Sequence, residues 1–359
     1  MLRSVDVMSA DESADPGSAA PGRWLVSRVD RQRVRALPLD DGGAFAPGDG
    51  TTVVTDRDGT LPAAVGEPLV PAVGDVLLAA PTPELPDRVL VAPRRSELAR
   101  DSADRTSREQ VIAANVDVVV IAEHLDPDPA VGRVERLLTL AWRSGATPLV
   151  VLTKADLVDD AADWVADVGA VALGVDVLAV SATTGLGMSE LRERIAPGTT
   201  LVVVGPSGAG KSTLVNALAG TEVMATGDRR GDGKGRHTTS HRELVPLPGG
   251  ATLIDTPGLR AVGLVATPDA VAKTFSDVED LVAQCRFSDC AHDTEPGCAV
   301  LAAVEDGTLD ERRLASWRSL QREMLRQAAR SDARIAAQQR DVWKKRVQGM
   351  REYQRARGR

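Results

Sequence analysis

The sequence predicts an α/β fold, a doubly wound parallel sheet with a small β domain before it and a helical region after it. Three observations carry this. Between residues 116 and 254, short apolar runs alternate with segments of helical spacing, as in a parallel sheet with crossover helices. From Trp24 to Pro93, brief Val/Leu runs are broken by Gly, Pro and Asp, the signature of several short strands joined by turns. After Thr267 the pattern is helical, and all three cysteines fall within 14 residues there.

Composition narrows the class. A chain of 359 residues suits two or three domains. Apolar residues at 43% and charged residues at 26% give a globular balance; aromatics at 3% leave the core to Val, Leu and Ala. A net charge of −8 argues against a uniformly basic nucleic-acid coat. The charge is uneven: Leu320–Arg359 carries +8, which leaves −16 on the remainder. No run of 18 apolar residues exists and no apolar stretch follows the first charges, so neither a spanning helix nor a secretion signal is expected. Three clustered cysteines exclude a disulfide scaffold and point to a metal.

In chain order, residues 1–22 are rich in Ser, Ala, Asp, Gly and Pro and read as a disordered leader. Strands are expected at Trp24–Val29, Arg33–Leu37, Thr51–Val54, Val73–Leu78 and Arg88–Val91, forming a small barrel or sandwich. Arg94–Glu109 is a polar connector. Buried parallel strands follow at Val116–Glu123, Pro148–Leu152, Val175–Val180, Leu201–Val204 and around Leu253–Ile254. Helices fit at Val131–Ser144, with Val134, Leu137, Leu138 and Ala141 on one face, and at Ala161–Val168, Met188–Ile195 and Ser212–Leu218. Thr267 suits an N-cap ahead of Pro268, and Ala299–Glu305 and Leu309–Leu325 are helical.

The strand ending at Val204 runs into Gly205-Pro206-Ser207-Gly208-Ala209-Gly210-Lys211-Ser212-Thr213 and then a helix. This is G-x-x-x-x-G-K-S in its required strand–loop–helix context. Its glycines let backbone N–H groups turn around a phosphate chain. Lys211 reaches the β- and γ-phosphates, and the Ser212 hydroxyl ligates Mg²⁺. A strand also runs into Thr153-Lys154-Ala155-Asp156, which resembles the N/T-K-x-D motif of GTPases, with Thr153 where Asn is commoner. Asp156 can accept hydrogen bonds from guanine N1–H and N2–H₂, a donor pair that adenine lacks. Ser181-Ala182 resembles the S-A-K base loop, with Thr183 in place of Lys. Asp255-Thr256-Pro257-Gly258 resembles D-x-x-G: Asp255 holds Mg²⁺ through water and Gly258 N–H senses the γ-phosphate. The Gly- and Arg-rich stretch between these motifs supplies a switch I Thr to Mg²⁺; Thr239 aligns best and Thr238 is second. Leu259 stands where many GTPases carry the water-orienting Gln. His237 is then the nearest titratable candidate for that role, the alternative being a loop histidine without one.

The motif order is base motif, base loop, P-loop, switch I, D-x-x-G, which resembles a circularly permuted GTPase. Cys285, Cys290, His292 and Cys298 offer three thiolates and an imidazole, a ligand set for one structural, tetrahedral Zn²⁺ per chain. Cys285 is expected to end a helix, and Pro296-Gly297 to make the turn.

Taken together, these stretches resemble the ribosome small-subunit-dependent GTPase A family. The likeness rests on Glu109–Asp117 (E-Q-V-I-A-A-N-V-D), Gly235-Arg236-His237-Thr238-Thr239, the D-T-P-G of Asp255–Gly258, Cys285–His292 (C-R-F-S-D-C-A-H) and Glu295–Val300 (E-P-G-C-A-V). It spans residues 85–325 and is weaker over Trp24–Ala79, where Val73-Gly74-Asp75 fits. The resemblance implies an OB-fold barrel at 23–93, a circularly permuted P-loop GTPase domain at 94–265, and a helical zinc domain with a basic tail at 266–359. It implies a cytoplasmic, monomeric enzyme with no membrane partner. That enzyme would hydrolyse GTP to GDP and phosphate with Mg²⁺, bind the 30S ribosomal subunit and its rRNA, and assist late subunit maturation under stimulation by the subunit. A regulatory GTPase with a protein partner and a purely structural zinc domain is the alternative.

Overall fold

The computed structural model describes residues 7–8, 22–30, 32–39, 50–101, 109–224, 243–255 and 266–331. The chain falls into two units, Met1–Arg100 with Gln110–Val262, and Asp101–Glu109 with Gly263–Arg359.

The first unit begins with an antiparallel sheet of β1 (Val7–Met8), β2 (Arg23–Asp30), β3 (Arg33–Pro38), β4 (Thr51–Val54), β5 (Val76–Ala79) and β6 (Val89–Val91), in the order β1-β4-β3-β2-β5-β6. Alternate residues point inward, so Val26, Val34, Ala36, Val53, Leu77, Val89 and Val91 close one core together with Leu61. The register of β2 against β3 shifts between Val26 and Arg28, and such a bulge bends a strand and helps the sheet curl into an OB-like half-barrel. Val7 and Met8 pair with Val53 and Thr52 of β4, so the leader is not wholly without structure: its apolar pair satisfies the open edge of β4.

The expected connector at 94–109 also needs correction. Glu97–Asp101 (β7) pairs with Glu109–Ala114 (β8) in a two-stranded sheet, with Leu98 and Ala99 buried. Asn115 follows in the left-handed region, at φ 54°. Its side chain donates to Gly74 O and accepts from Arg95 N, which fastens the barrel to the start of the α/β sheet. Gly74 has no room for a side chain there, since a Cβ would stand 2.1 Å from Ala114 O.

The α/β part comprises β9 (Val118–His124), α1 (Val131–Ser144), β10 (Thr147–Thr153), a 3₁₀ turn (Ala155–Leu157), α2 (Ala161–Val171), β11 (Val177–Val180), α3 (Met188–Glu193), β12 (Thr200–Val204), α4 (Lys211–Ala219), β13 (Glu243–Pro246) and β14 (Thr252–Asp255). The sheet order is β11-β10-β9-β12-β14-β13. All neighbours are parallel except β13, an edge strand that the sequence pattern did not single out because it carries Glu243 and Pro246. On α1, Val134, Leu138 and Ala141 are buried as the spacing requires, with Leu137 at the margin.

The second unit holds α5 (Pro268–Thr274), α6 (Ser276–Val282), α7 (Ala299–Glu305) and α8 (Glu311–Ser331) around Val271, Phe275, Val278, Val300, Leu314, Trp317 and Leu320. Thr267 stands at the N-cap of α5 with extended backbone and Pro268 next to it, but its hydroxyl makes no capping bond. Arg313 is buried against the Phe275 ring and is satisfied by Asp277 and Thr274 O. Among the described residues, no helix is long and apolar enough to cross a membrane.

Candidate nucleotide site and metal centre

In a parallel sheet, ligands bind beyond the carboxyl ends of the strands, where the strand order reverses direction. Here β9 leads to β10 on one side, while β12 and β14 lie on the other. The carboxyl ends of β10, β11, β12 and β14 carry, respectively, Thr153, the Ser181 loop, the Gly205 loop and Asp255. The fold therefore delivers the described sequence candidates to one edge of one sheet.

The phosphate loop is shaped by its glycines. Gly205, Gly208 and Gly210 have φ of 145°, 85° and 69°. Gly205 also lies so close to β9 that a Cβ would stand 2.0 Å from Ala122 O. Ala209 is buried, Pro206 is half-buried, and Ser207 and Gly208 face solvent. Gly210 is the N-cap of α4 and offers no side-chain cap, so the positive end of the helix dipole faces the loop. Lys211 Nζ donates to the carbonyls of Gly205 and Pro206, which holds the ammonium at the loop. Ser212 and Thr213 are half-buried on the same turn.

The base motif is tied to this loop. Thr153 is buried, and its Oγ1 lies 2.9 Å from Ala209 O and 3.2 Å from Glu123 O. Lys154 takes the left-handed conformation at φ 61°, and its Nζ donates to Asp126 O at 3.0 Å. Ala155 is buried beneath the turn while Asp156 projects to solvent, as a carboxylate that meets a ligand edge should. In the next loop, buried Ser181 Oγ accepts from Thr184 N and lies 2.9 Å from Thr183 Oγ1, which fixes the backbone around half-buried Ala182. His237, Thr239 and Gly258 lie outside the described residues.

One feature of this edge was not anticipated. Glu123 is fully buried at the end of β9 and takes a bidentate pair from Arg133 of α1, at 2.8 and 2.6 Å. The pairing raises the Arg133 pKa, through the Glu123 hydrogen bond first, and against the effect of burial. The signal in the sequence was a lone carboxylate closing an otherwise apolar strand.

In the second unit, Cys285, Cys290, His292 and Cys298 place their ligand atoms within 4.8 Å of one another. The three edges among Cys285, His292 and Cys298 fit one face of a tetrahedron. Zinc–sulfur bonds of about 2.3 Å and zinc–nitrogen bonds of about 2.0 Å give S···S edges of about 3.8 Å and S···N edges of about 3.5 Å. The Cys285–Cys298 edge is 3.9 Å, and His292 Nδ1 lies 3.5 and 3.4 Å from those two sulfurs. Cys285 lies beyond the end of α6 rather than in it: the helix stops at Val282, and i→i+3 bonds at Gln284 and Cys285 tighten the chain into a turn. Cys298 is the N-cap of α7, where its Sγ accepts from Leu301 N.

The surroundings favour the ligating form at His292 and Cys285 and oppose it at Cys290. Burial lowers the His292 pKa and keeps the ring neutral. Burial raises the Cys285 thiol, but N–H groups of Val300 and Ala299 outweigh it and the net shift is downward. Burial, with the other two sulfurs, pushes Cys290 up to about 11. Around them, Glu295 accepts backbone N–H bonds from Thr294, Asp293 and Ala291, which hold its carboxyl down at about 2 and rigidify the loop. Arg318 donates to His292 O, and the His292 ring meets Trp317 edge-on at 5.7 Å.

Comparison with known proteins agrees with this geometry. The model of the RsgA GTPase family matches residues 91–265. The small ribosomal subunit biogenesis GTPase RsgA of Streptomyces avermitilis is 54% identical over 257 residues, covering 70% of this chain and 69% of the relative. The chain belongs to the RsgA GTPase family. The protein of the same name from Opitutus terrae is 44% identical over 352 residues, 95% of this chain and 94% of its own. Two solved structures share the fold at 24% identity. YjeQ from Thermotoga maritima has a TM-score of 0.55 and covers 84% of this chain and 98% of its own. YloQ, titled a circularly permuted GTPase, has a TM-score of 0.58 with 87% and 98%. Family membership makes the chain a GTPase, and its motif order is that of the permuted fold. The family implies Mg²⁺ as the nucleotide's companion ion, and the cysteine–histidine cluster could hold a metal ion.

Proposed function

We propose that this GTPase acts in biogenesis of the small ribosomal subunit, in the cytoplasm, binding the 30S particle and hydrolysing GTP faster when bound to it. The observation that carries the reading is identity of 44% along almost the whole length of a relative named for that process. In this reading the barrel at 23–93, the helical zinc domain from 266 and the basic tail hold rRNA, while residues 94–265 hold the nucleotide. The chain works as a monomer.

The N–H groups at Gly208–Thr213 and the Lys211 ammonium surround the phosphates and oppose the charge that builds on them during transfer. Asp156 accepts from guanine N1–H and N2–H₂, the Lys154 stem covers the base face, and the Ser181–Ala182 loop closes the base edge. Ser212, Thr239 and Asp255 would hold Mg²⁺, which would neutralise charge on the phosphates. Gly258 N–H responds to the γ-phosphate. With Leu259 in place of a water-orienting Gln, the isolated chain turns over slowly, and His237 is the group assigned to the water once the subunit is bound. One zinc at Cys285, Cys290, His292 and Cys298 serves structure only.

The deciding assay is GTP turnover by the full chain alone, with purified 30S subunits and with 50S subunits. Stimulation by 30S of at least an order of magnitude is expected and none by 50S; trans-activated GTPases typically gain about 10³–10⁵. Equal rates in all three samples would refute the ribosomal assignment.

A further inference from the structure

Thr153 occupies the first position of the base motif, and its single side-chain hydrogen is already committed. The residue is 5% exposed, and its Oγ1 sits between two backbone carbonyls, Ala209 O at 2.9 Å and Glu123 O at 3.2 Å. Carbonyl oxygens only accept, and a hydroxyl carries one hydrogen, so that hydrogen is shared inside the protein. The hydroxyl's remaining capacity is to accept. Purine N7 is itself an acceptor, so no hydrogen bond can form between it and this side chain. An Asn amide at the same position would carry two hydrogens, one for the loop carbonyl and one to spare.

We propose that Thr153 fastens the base motif to the phosphate loop and leaves purine N7 unread, so that guanine is selected through its Watson–Crick edge. The inference rests on the assignment of Thr153–Asp156 as the guanine site. Within that site it separates two tasks. Asp156 discriminates between bases, and Thr153 sets the distance from base to phosphates by holding Ala209. A loss at Thr153 therefore weakens every nucleotide that spans both halves, whatever the chemistry at position 7 of its ring.

The test is equilibrium binding of GDP and 7-deaza-GDP, in which N7 is replaced by C–H, to the full chain with Mg²⁺. The wild type should bind the two within twofold of each other. Thr153→Val should weaken both by about threefold to tenfold, the net worth of one hydrogen bond, with their ratio unchanged. Thr153→Ser should recover what Val loses, which separates the hydroxyl from a general folding defect. A wild-type preference for GDP of fivefold or more over 7-deaza-GDP would overturn the proposal, as would full affinity in Thr153→Val. Asp156→Asn, measured with GDP and XDP, keeps the two failures distinguishable. If that variant shows no shift toward xanthine, the guanine-site assignment falls; if it shifts while 7-deaza-GDP binds poorly to the wild type, only the role given to Thr153 falls.

Discussion

Gly205→Ala isolates the contact that seats the phosphate loop on the sheet. The last described pair of β12 with β9 is Val204 with Ile121, and the next step places Gly205 over Ala122. A Cβ at Gly205 would stand 2.0 Å from Ala122 O, in a backbone at φ 145°. Carbon and oxygen do not approach within 3.0 Å, so β9 and the loop must part by about 1 Å. Strain at a conformation that only glycine adopts readily costs about 1–3 kcal/mol, and overpacking against fixed atoms about 1–3 kcal/mol more. Gly208→Ala is the control within the same loop. Its φ is 85° and nothing lies within 4 Å of the added carbon, so the backbone term stands alone at about 1–2 kcal/mol. Urea unfolding of the nucleotide-free chain, followed by circular dichroism, should show Gly205→Ala about 2 kcal/mol less stable than Gly208→Ala. A displacement of that size at the loop should also lower turnover by roughly 10². Equal stability of the two variants would refute the claim that contact with Ala122, rather than backbone strain, demands glycine at 205.

Three further outcomes are expected. Asp156→Asn should move preference from guanine toward xanthine nucleotides, read by competition between GTP and XTP, because an amide hydrogen would face N1–H. Replacing Cys290 or His292 should remove one zinc per chain by metal analysis; Cys298→Ser should do so too, even though serine can still cap α7. Arg133→Leu should destabilise the chain by about 3 kcal/mol in urea unfolding, at the low end for a broken buried pair because Arg133 is partly exposed, and Glu123→Leu combined with it should restore more than half of that.

What the sequence disclosed follows from how local each signal is. β9, β10 and β12 are buried on both faces, so their apolar runs stand out without any partner being known. The phosphate loop and the cysteine cluster are contiguous, and their chemistry is written in residue type and spacing. β7 was hidden because Glu97, Arg100 and Asp101 dominate its composition and only Leu98 and Ala99 are apolar; its pairing with β8 is a property of the fold. β13 was hidden by its edge position, which tolerates Pro246 and Glu243. The sequence carries the helix on to Cys285, three residues beyond the end of α6, because nothing in Ala283-Gln284-Cys285 forbids helix; the turn there appears only in the fold, beside the other ligands. His292 at φ 57° belongs to the same class, a conformation set by the cluster it completes.

The contacts at the carboxyl edge of the α/β sheet also divide the labour of the site. Thr153 binds Ala209, Gly205 rests on Ala122, Lys154 is held by Asp126 O, and Glu123 beneath them is locked by Arg133. The first joins the base motif to the phosphate loop, the second seats that loop on β9, the third ties the base motif to the turn after β9, and the last locks β9 to α1. A frame cross-linked in this way is already ordered before a nucleotide arrives, so it costs little to organise on binding. It also offers the same contacts to GDP and GTP, since base, ribose and the first two phosphates are common to both. In the function proposed above, discrimination between the two and the rate of hydrolysis fall to Lys211 and to the segments that carry Thr239, Gly258 and Leu259. In a permuted chain those segments lie between the phosphate loop and the unit with the cysteine–histidine cluster in sequence. On that proposal, the order of motifs places the residues that answer to the γ-phosphate on the stretch of sequence between the phosphate loop and the cysteine–histidine cluster, and leaves affinity to the frame that precedes it.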